Sequence, residues 1–183
     1  FLDNEEIVKE IYKIRKIAKK PACNADIYTP TDDELFSNLS KIKSLNEEVY
    51  KFYLALMYSG VRIREIEACI KGNHRIIEMG SFKKILLNSN RVTKKCYYVY
   101  LPKDFELPKD IEIKDLTRFL NKHKDIIRPK YIRNWFYSKC LDLGIPTGVI
   151  DFYQGRSPIT VGNKHYLDKE RMADKCYEKI EWE

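Results

Sequence analysis

The sequence predicts a mixed α+β domain, mainly α-helical, with one small three-stranded antiparallel sheet in its middle. Three observations predict it. Apolar residues recur at helical spacing on both sides of a central stretch. Between His74 and Pro102 the period changes to short runs rich in aromatic and β-branched residues. Capping residues, prolines and glycines fall at the edges of the periodic segments. With 183 residues, 44% of them hydrophobic, the chain is long enough to bury one sizeable core and is expected to form one domain.

The elements follow in order. From Asn4 to Lys20, Ile7, Ile11, Ile14 and Ala18 share one face opposite a row of lysines, the pattern of an amphipathic helix that breaks at Pro21. Thr31-Asp32-Asp33-Glu34 reads as a capping box opening a second helix through Leu35, Leu39 and Ile42. Ser44-Leu45-Asn46-Glu47 caps a third through Val49, Phe52, Tyr53 and Leu56, which Gly60 ends. A short helix with Arg62 at its start turns Ile63, Ile66 and Ile70 inward. The strands are Ile76-Ile77, Phe82 with Ile85-Leu86-Leu87, and Cys96 to Leu101, with residues 88–95 as the tip of the last hairpin. Helices return over Ile113 to His123, Pro129 to Leu143 and Pro146 to Tyr153, the last two closed by Gly144 and Gly155. A tail helix within residues 167–183 presents Met172, Cys176 and Ile180 as an apolar stripe, either for its own domain or for a neighbouring protomer. The chain shows no internal repeat and no low-complexity linker.

Composition narrows the class of partner. There are 34 Lys+Arg against 27 Asp+Glu, a net charge of +7, and a pI near 9.0. Such an excess raises the local concentration of a polyanion. No apolar run approaches the roughly 20 residues of a membrane helix, and no leader with a cleavage site precedes the first charges, so an intracellular protein without a membrane partner is expected. The five cysteines are scattered, odd in number and never paired as C-x-x-C, which disfavours a zinc site or a disulfide framework. Asp168, Glu170 and Asp174 read as a charged helix face and not as metal ligands. The chain begins at Phe1 without an initiator Met, so it is expected to be a C-terminal fragment excised from something longer.

Three short segments carry side chains suited to one reaction. They are Gly60-Val61-Arg62-Ile63-Arg64-Glu65, Pro129-Lys130-Tyr131-Ile132-Arg133, and Gly155-Arg156-Ser157 followed by Lys164-His165-Tyr166. Transfer at a phosphate needs an oxygen nucleophile, cations on the non-bridging oxygens as charge builds, and a proton for the departing 5′ oxygen. Arginine suits the second task, because its planar fork donates two hydrogen bonds to one phosphate and stays charged. Arg62 leaves from the start of a helix, where backbone amides also favour anions. Lys130 and Arg133 lie three residues apart in a helix begun by Pro129, which puts both on one face near its positive end. Taken singly each has an ordinary reading: Arg62 as a partner of Glu65, Lys130 and Arg133 as a solvated helix face, and Tyr166 as one of 13 tyrosines.

Together, in this order and spacing, the segments resemble the Arg box, the His-x-x-Arg box and the terminal Tyr box of the tyrosine recombinases (phage-integrase family), over Arg62 to Tyr166. The resemblance implies the tyrosine recombinase catalytic-domain fold, with Tyr166 as nucleophile because it falls ten residues after Arg156. It assigns Arg62, Lys130, Arg133 and Arg156 to the phosphate and gives Glu65 a supporting role beside Arg62. Two positions depart from the usual pattern. Lys130 stands where the family has His, and Gly155-Arg156 replaces Gly-His, each exchanging one donor for another. Such replacements resemble those in archaeal integrases, most of all the integrases of archaeal spindle-shaped viruses (fuselloviruses). The family also takes its proton donor from a hairpin lysine. Lys94 is favoured for that role, with its neighbour Lys95 and with Arg91 on the same tip as alternatives, and Arg64, Arg91, Lys95 and His165 are expected to contact DNA.

The implied activity is site-specific recombination of viral or mobile double-stranded DNA through a 3′-phosphotyrosine. The implied assembly is a tetramer on attachment sites, and the implied chemistry needs neither a metal nor another cofactor. Two alternatives use the same fold: a type IB topoisomerase-like nicking and closing enzyme, and a non-catalytic DNA-binding module.

Overall fold

A computed structural model of the chain describes residues 28–87, 96–156 and 166–182. The predicted helix from Asn4 to Lys20 and the hairpin tip lie outside them. Among the described residues there are seven α-helices and one sheet. None of these helices is long and apolar enough to cross a membrane.

Helix α1 spans Asp32–Leu45 and opens with the predicted capping box. Thr31 Oγ1 accepts from the Glu34 amide at 3.2 Å, and Glu34 Oε2 accepts from the Thr31 amide at 2.8 Å, so two otherwise orphaned donors are satisfied. Helix α2, Glu47–Ser59, is capped by Asn46, whose Oδ1 accepts from the Val49 amide at 2.9 Å. Ser44, expected to take part in that cap, instead donates its Oγ to the Lys41 carbonyl in the last turn of α1. Gly60 closes α2 at φ 63°, and a Cβ there would run into the Phe136 ring. The left-handed turn and the close approach both demand glycine. This turn aims the chain into α3, Ile63–Lys71, with Arg62 as its N-cap. In α3 the buried residues are Glu65, Ile66 and Cys69, while Ile63 and Ile70 are only partly covered.

Strands β1 (Ile76–Glu78), β2 (Phe82–Leu86) and β3 (Tyr98–Pro102) form an antiparallel sheet in the order β1-β2-β3. Ile85 pairs with Val99 and Lys84 with Tyr100. The remaining helices are α4 (Ile113–Lys122), α5 (Pro129–Asp142), α6 (Thr147–Tyr153) and α7 (Tyr166–Tyr177). Proline at the first position of α5 forfeits only an amide that has no intrahelical partner. The core joins α2, α5 and α6 to β3, with Phe52, Leu56, Phe136, Ile150 and Val99 all fully buried.

The tail corrects the expected stripe. Ala173, Tyr177 and Ile180 are buried, whereas Met172 is 42% exposed and Cys176 only half-buried. Tyr177 enters an aromatic cluster with Phe82, Tyr100 and Tyr153, and its hydroxyl donates to the Tyr58 carbonyl at 3.0 Å. Trp182 packs on Tyr58, Phe136 and Tyr177. Burying a large apolar side chain contributes about 1.5–3 kcal/mol, and in this tail Tyr177 and Ile180 supply that contribution. The described part of the tail packs on its own domain through Ala173, Tyr177 and Ile180.

Candidate active site

Three elements meet at the C-terminal end of α6. Arg62 enters from the N-cap of α3 in an extended conformation that leaves its side chain clear of the helix. Its Nη1 donates to the carbonyls of Gln154 and Gly155, both at 3.3 Å, and lies 3.9 Å from Glu65 Oε1. Arg133, one turn into α5, donates Nη2 to the same Gln154 carbonyl at 3.3 Å. One carbonyl oxygen therefore holds two guanidinium groups side by side. The physical cause is the helix end: the last carbonyls of α6 lack intrahelical donors and carry its negative partial charge.

Arg133 is the most confined cation of the group. Burial, and then the charges of Arg62 and Arg156, push its guanidinium down to about 10, against the pull of Glu65, so it is still charged at neutral pH. Its Nη1 is buried and has no hydrogen-bond partner among the described residues. A buried, charged donor without an acceptor costs several times the net value of an ordinary hydrogen bond. An anion entering between Arg62 and Arg133 would remove that cost.

Arg156 borders this pair from the solvent side. Its side chain is 44% exposed, with Nη1 3.9 Å from Asp151 Oδ1 and the guanidinium 5.0 Å from the Tyr137 ring centroid. Gly155, immediately before it, has φ 58°, and a Cβ there would come within 2.8 Å of Cys96 Cβ and 3.0 Å of Cys96 Cα. This approach joins the end of α6 to the entry of β3. Burial pushes the Cys96 thiol up to about 12, which makes it a neutral packing group. Lys130 is exposed in the first turn of α5, with its ammonium 4.5 Å from the Tyr131 ring centroid. Arg64 is exposed on α3 and lines an open depression with Glu67, Ala68, Lys71 and Ile113. Tyr166 begins α7; its side chain, and Arg91, Lys94, Lys95 and His165, fall outside the described residues.

A sequence model described as archaeal phage integrase matches residues 27–182. The chain belongs to the archaeal phage integrase family. The match takes in every segment that meets at α6 as well as the start of α7, and it leaves out the predicted Asn4 to Lys20 helix. No curated protein matches the chain.

Sequence reasoning passed over two residues of this integrase-family domain. One is Gln154, the fully buried hinge of the arginine pair. The other is Lys84 on β2, only 4% exposed. Its Nζ donates to Glu170 Oε1 at 2.6 Å and to Asp174 Oδ2 at 2.7 Å, and Tyr100 donates its hydroxyl to the other Asp174 oxygen at 2.8 Å. Glu170 and Asp174, read as part of a charged helix face, are thus the clamp that holds α7 to the sheet. Burial opposes the charge on Lys84, but the hydrogen bonds to Asp174 and Glu170 prevail and hold its ammonium above the ordinary lysine value. The available signal was alternation, since Lys84 shares the inward face of β2 with Phe82.

Removing one member of a buried ion cluster leaves the others uncompensated, at a cost of about 3–5 kcal/mol. Lys84→Met should lower unfolding stability by that amount in urea titrations. Adding Glu170→Gln and Asp174→Asn to the same chain should recover most of it. A Lys84→Met protein as stable as the parent would show that the cluster carries no net stabilisation.

Proposed function

We propose that this integrase-family chain cuts and rejoins double-stranded DNA at specific sites, with Tyr166 as the nucleophile. The observation that carries the reading is the unpartnered Nη1 of Arg133 beside Arg62. Two guanidinium groups fixed on one carbonyl, one of them with a donor to spare, are suited to the two non-bridging oxygens of a phosphodiester.

In this reading the Tyr166 phenol loses its proton to solvent and its oxygen bonds to phosphorus. The bond from phosphorus to the 5′ oxygen breaks, and that oxygen takes a proton from the Lys94 ammonium. A 3′-phosphotyrosyl bond and a 5′ hydroxyl result. The 5′ hydroxyl of a partner strand then attacks the same phosphorus and gives its proton to the Lys94 amine, while the bond from phosphorus to the Tyr166 oxygen breaks and the phenolate takes a proton from solvent. The phosphotyrosine conserves the energy of the broken diester, so ATP has no role, and the arginines supply the charge a metal would otherwise bring. Lys130 and Arg156 add donors at the rim, Glu65 holds Arg62 in place, and Arg64, Arg91, Lys95 and His165 contact the DNA backbone. Strand exchange between two attachment sites requires four protomers, so assembly on DNA as a tetramer belongs to the same proposal.

The test is covalent capture. The chain is incubated with a library of nicked duplexes of random sequence, in which the short cleaved strand diffuses away and the adduct accumulates. Digestion and mass spectrometry should find the nucleotide on the peptide containing Tyr166. An adduct on another tyrosine would move the nucleophile, and no adduct with any duplex would remove the cleavage activity.

A further inference from the structure

We propose that Gln154 is a positioning residue, whose buried carboxamide determines where the guanidinium groups of Arg62 and Arg133 meet the scissile phosphate. The inference rests on the cleavage reading above and deepens it. Gln154 is the C-cap of α6 and is fully buried. Its side-chain Nε2 donates to the Arg133 carbonyl at 2.7 Å, while its own carbonyl accepts from Arg133 Nη2 and Arg62 Nη1, each at 3.3 Å. Arg133 is thereby held at both ends by one residue: its backbone by the Gln154 side chain, and its guanidinium by the Gln154 backbone. Neither end can move without disturbing the other.

Packing alone does not account for an amide here. Gln154 has no solvent exposure, and its Oε1 has no hydrogen-bond partner among the described residues. Burying that oxygen costs free energy that a methionine or leucine of similar volume would avoid. What the amide supplies in return is one short bond, and it ends on the residue that carries the unpartnered donor. The neighbouring chain is just as constrained, because Gly155 in its left-handed conformation lies against Cys96. The carbonyls of Gln154 and Gly155 therefore form a rigid ledge, and the carboxamide is the part that locks α5 to it. Reacting groups misplaced by about 1 Å lose on the order of 10²-fold in rate, so a slackened ledge should reach the chemistry without loss of the fold.

A substrate with a neutral methylphosphonate at the scissile position separates this role from ordinary packing. Replacing one non-bridging oxygen by methyl removes the charge that the arginines stabilise, so a defect that acts through them shrinks on that substrate. Single-turnover adduct formation is measured for the parent, Gln154→Met, Gln154→Asn and Arg133→Ala on both substrates, together with DNA affinity and thermal melting. Gln154→Met should cleave ordinary DNA about 10- to 100-fold more slowly, with affinity within about threefold of the parent. On the methylphosphonate its deficit should fall to about threefold or less, in parallel with Arg133→Ala, and in the Arg133→Ala background it should add little. Gln154→Asn, which keeps the amide but shortens its reach, should show a smaller deficit with the same relief, and it decides the matter if the methionine variant melts below the assay temperature. Parental rates for both Gln154 variants, or an equal deficit on both substrates, would overturn the proposal while leaving the cleavage reading intact. If the parent itself forms no adduct, the cleavage reading fails, and this proposal with it.

Discussion

Tyr166→Phe is expected to abolish the covalent DNA adduct while leaving non-covalent DNA binding near the parental level. Phenylalanine keeps the ring and removes only the attacking oxygen. Deleting the nucleophile of a covalent mechanism costs about 10⁴-fold or more, which would put the adduct below detection on gels. The structure argues against substitution by a core tyrosine. Tyr53, Tyr100, Tyr153 and Tyr177 are buried. Their hydroxyls donate to the Ile127 carbonyl, Asp174, the Ala173 carbonyl and the Tyr58 carbonyl. Burial pushes each of these phenols well above the ordinary tyrosine value, so none is available as a phenolate. A normal adduct yield from the Tyr166→Phe protein would place the nucleophile elsewhere, and loss of DNA binding would give the residue a structural role at the start of α7.

The second large effect concerns the leaving group. Lys94→Ala should cleave ordinary DNA about 10²- to 10⁴-fold more slowly, the usual contribution of a positioned acid. It should recover most of that rate on a substrate whose bridging 5′ oxygen is replaced by sulfur, because a thiolate departs with little need of a proton. Arg133→Ala should stay slow on both, since in the proposed reaction the charge that Arg133 meets is on the non-bridging oxygens, which the sulfur leaves unchanged. The contrast follows from the side chains: lysine can surrender a proton when cations surround it, and arginine hardly does. Even confined as it is, Arg133 is pushed down only to about 10. Rescue of Lys95→Ala or Arg91→Ala in place of Lys94→Ala would shift the acid along the hairpin. Rescue of none would leave the hairpin charges as DNA contacts only.

Local chemistry wrote much of this domain into its sequence. The Thr31 to Glu34 capping box, the glycine stop at Gly60, the proline start of α5 and the three strands each depend on residues within about four positions of one another. Backbone propensity and capping act at that range, so the pattern suffices without knowledge of the fold. Family membership was legible for a related reason, since Arg62, Arg133, Arg156 and Tyr166 stand in a recognisable order along the chain. Where two residues compete for one role, short-range pattern was not enough. Asn46 capped α2 and Ser44 did not, and Tyr177 turned the tail so that Met172 faces solvent. The site shows the same division. Sequence separated Arg62 and Arg133 as candidates, but their meeting on the Gln154 carbonyl joins residues 92 and 21 positions apart. Lys84 finds its carboxylates 86 and 90 positions away. A lysine or a glutamine in a sequence reads as solvated surface by default. Only tertiary folding buries it, and burial is what turns its hydrogen bonds from optional into obligatory, because inside the domain no water can replace a lost partner.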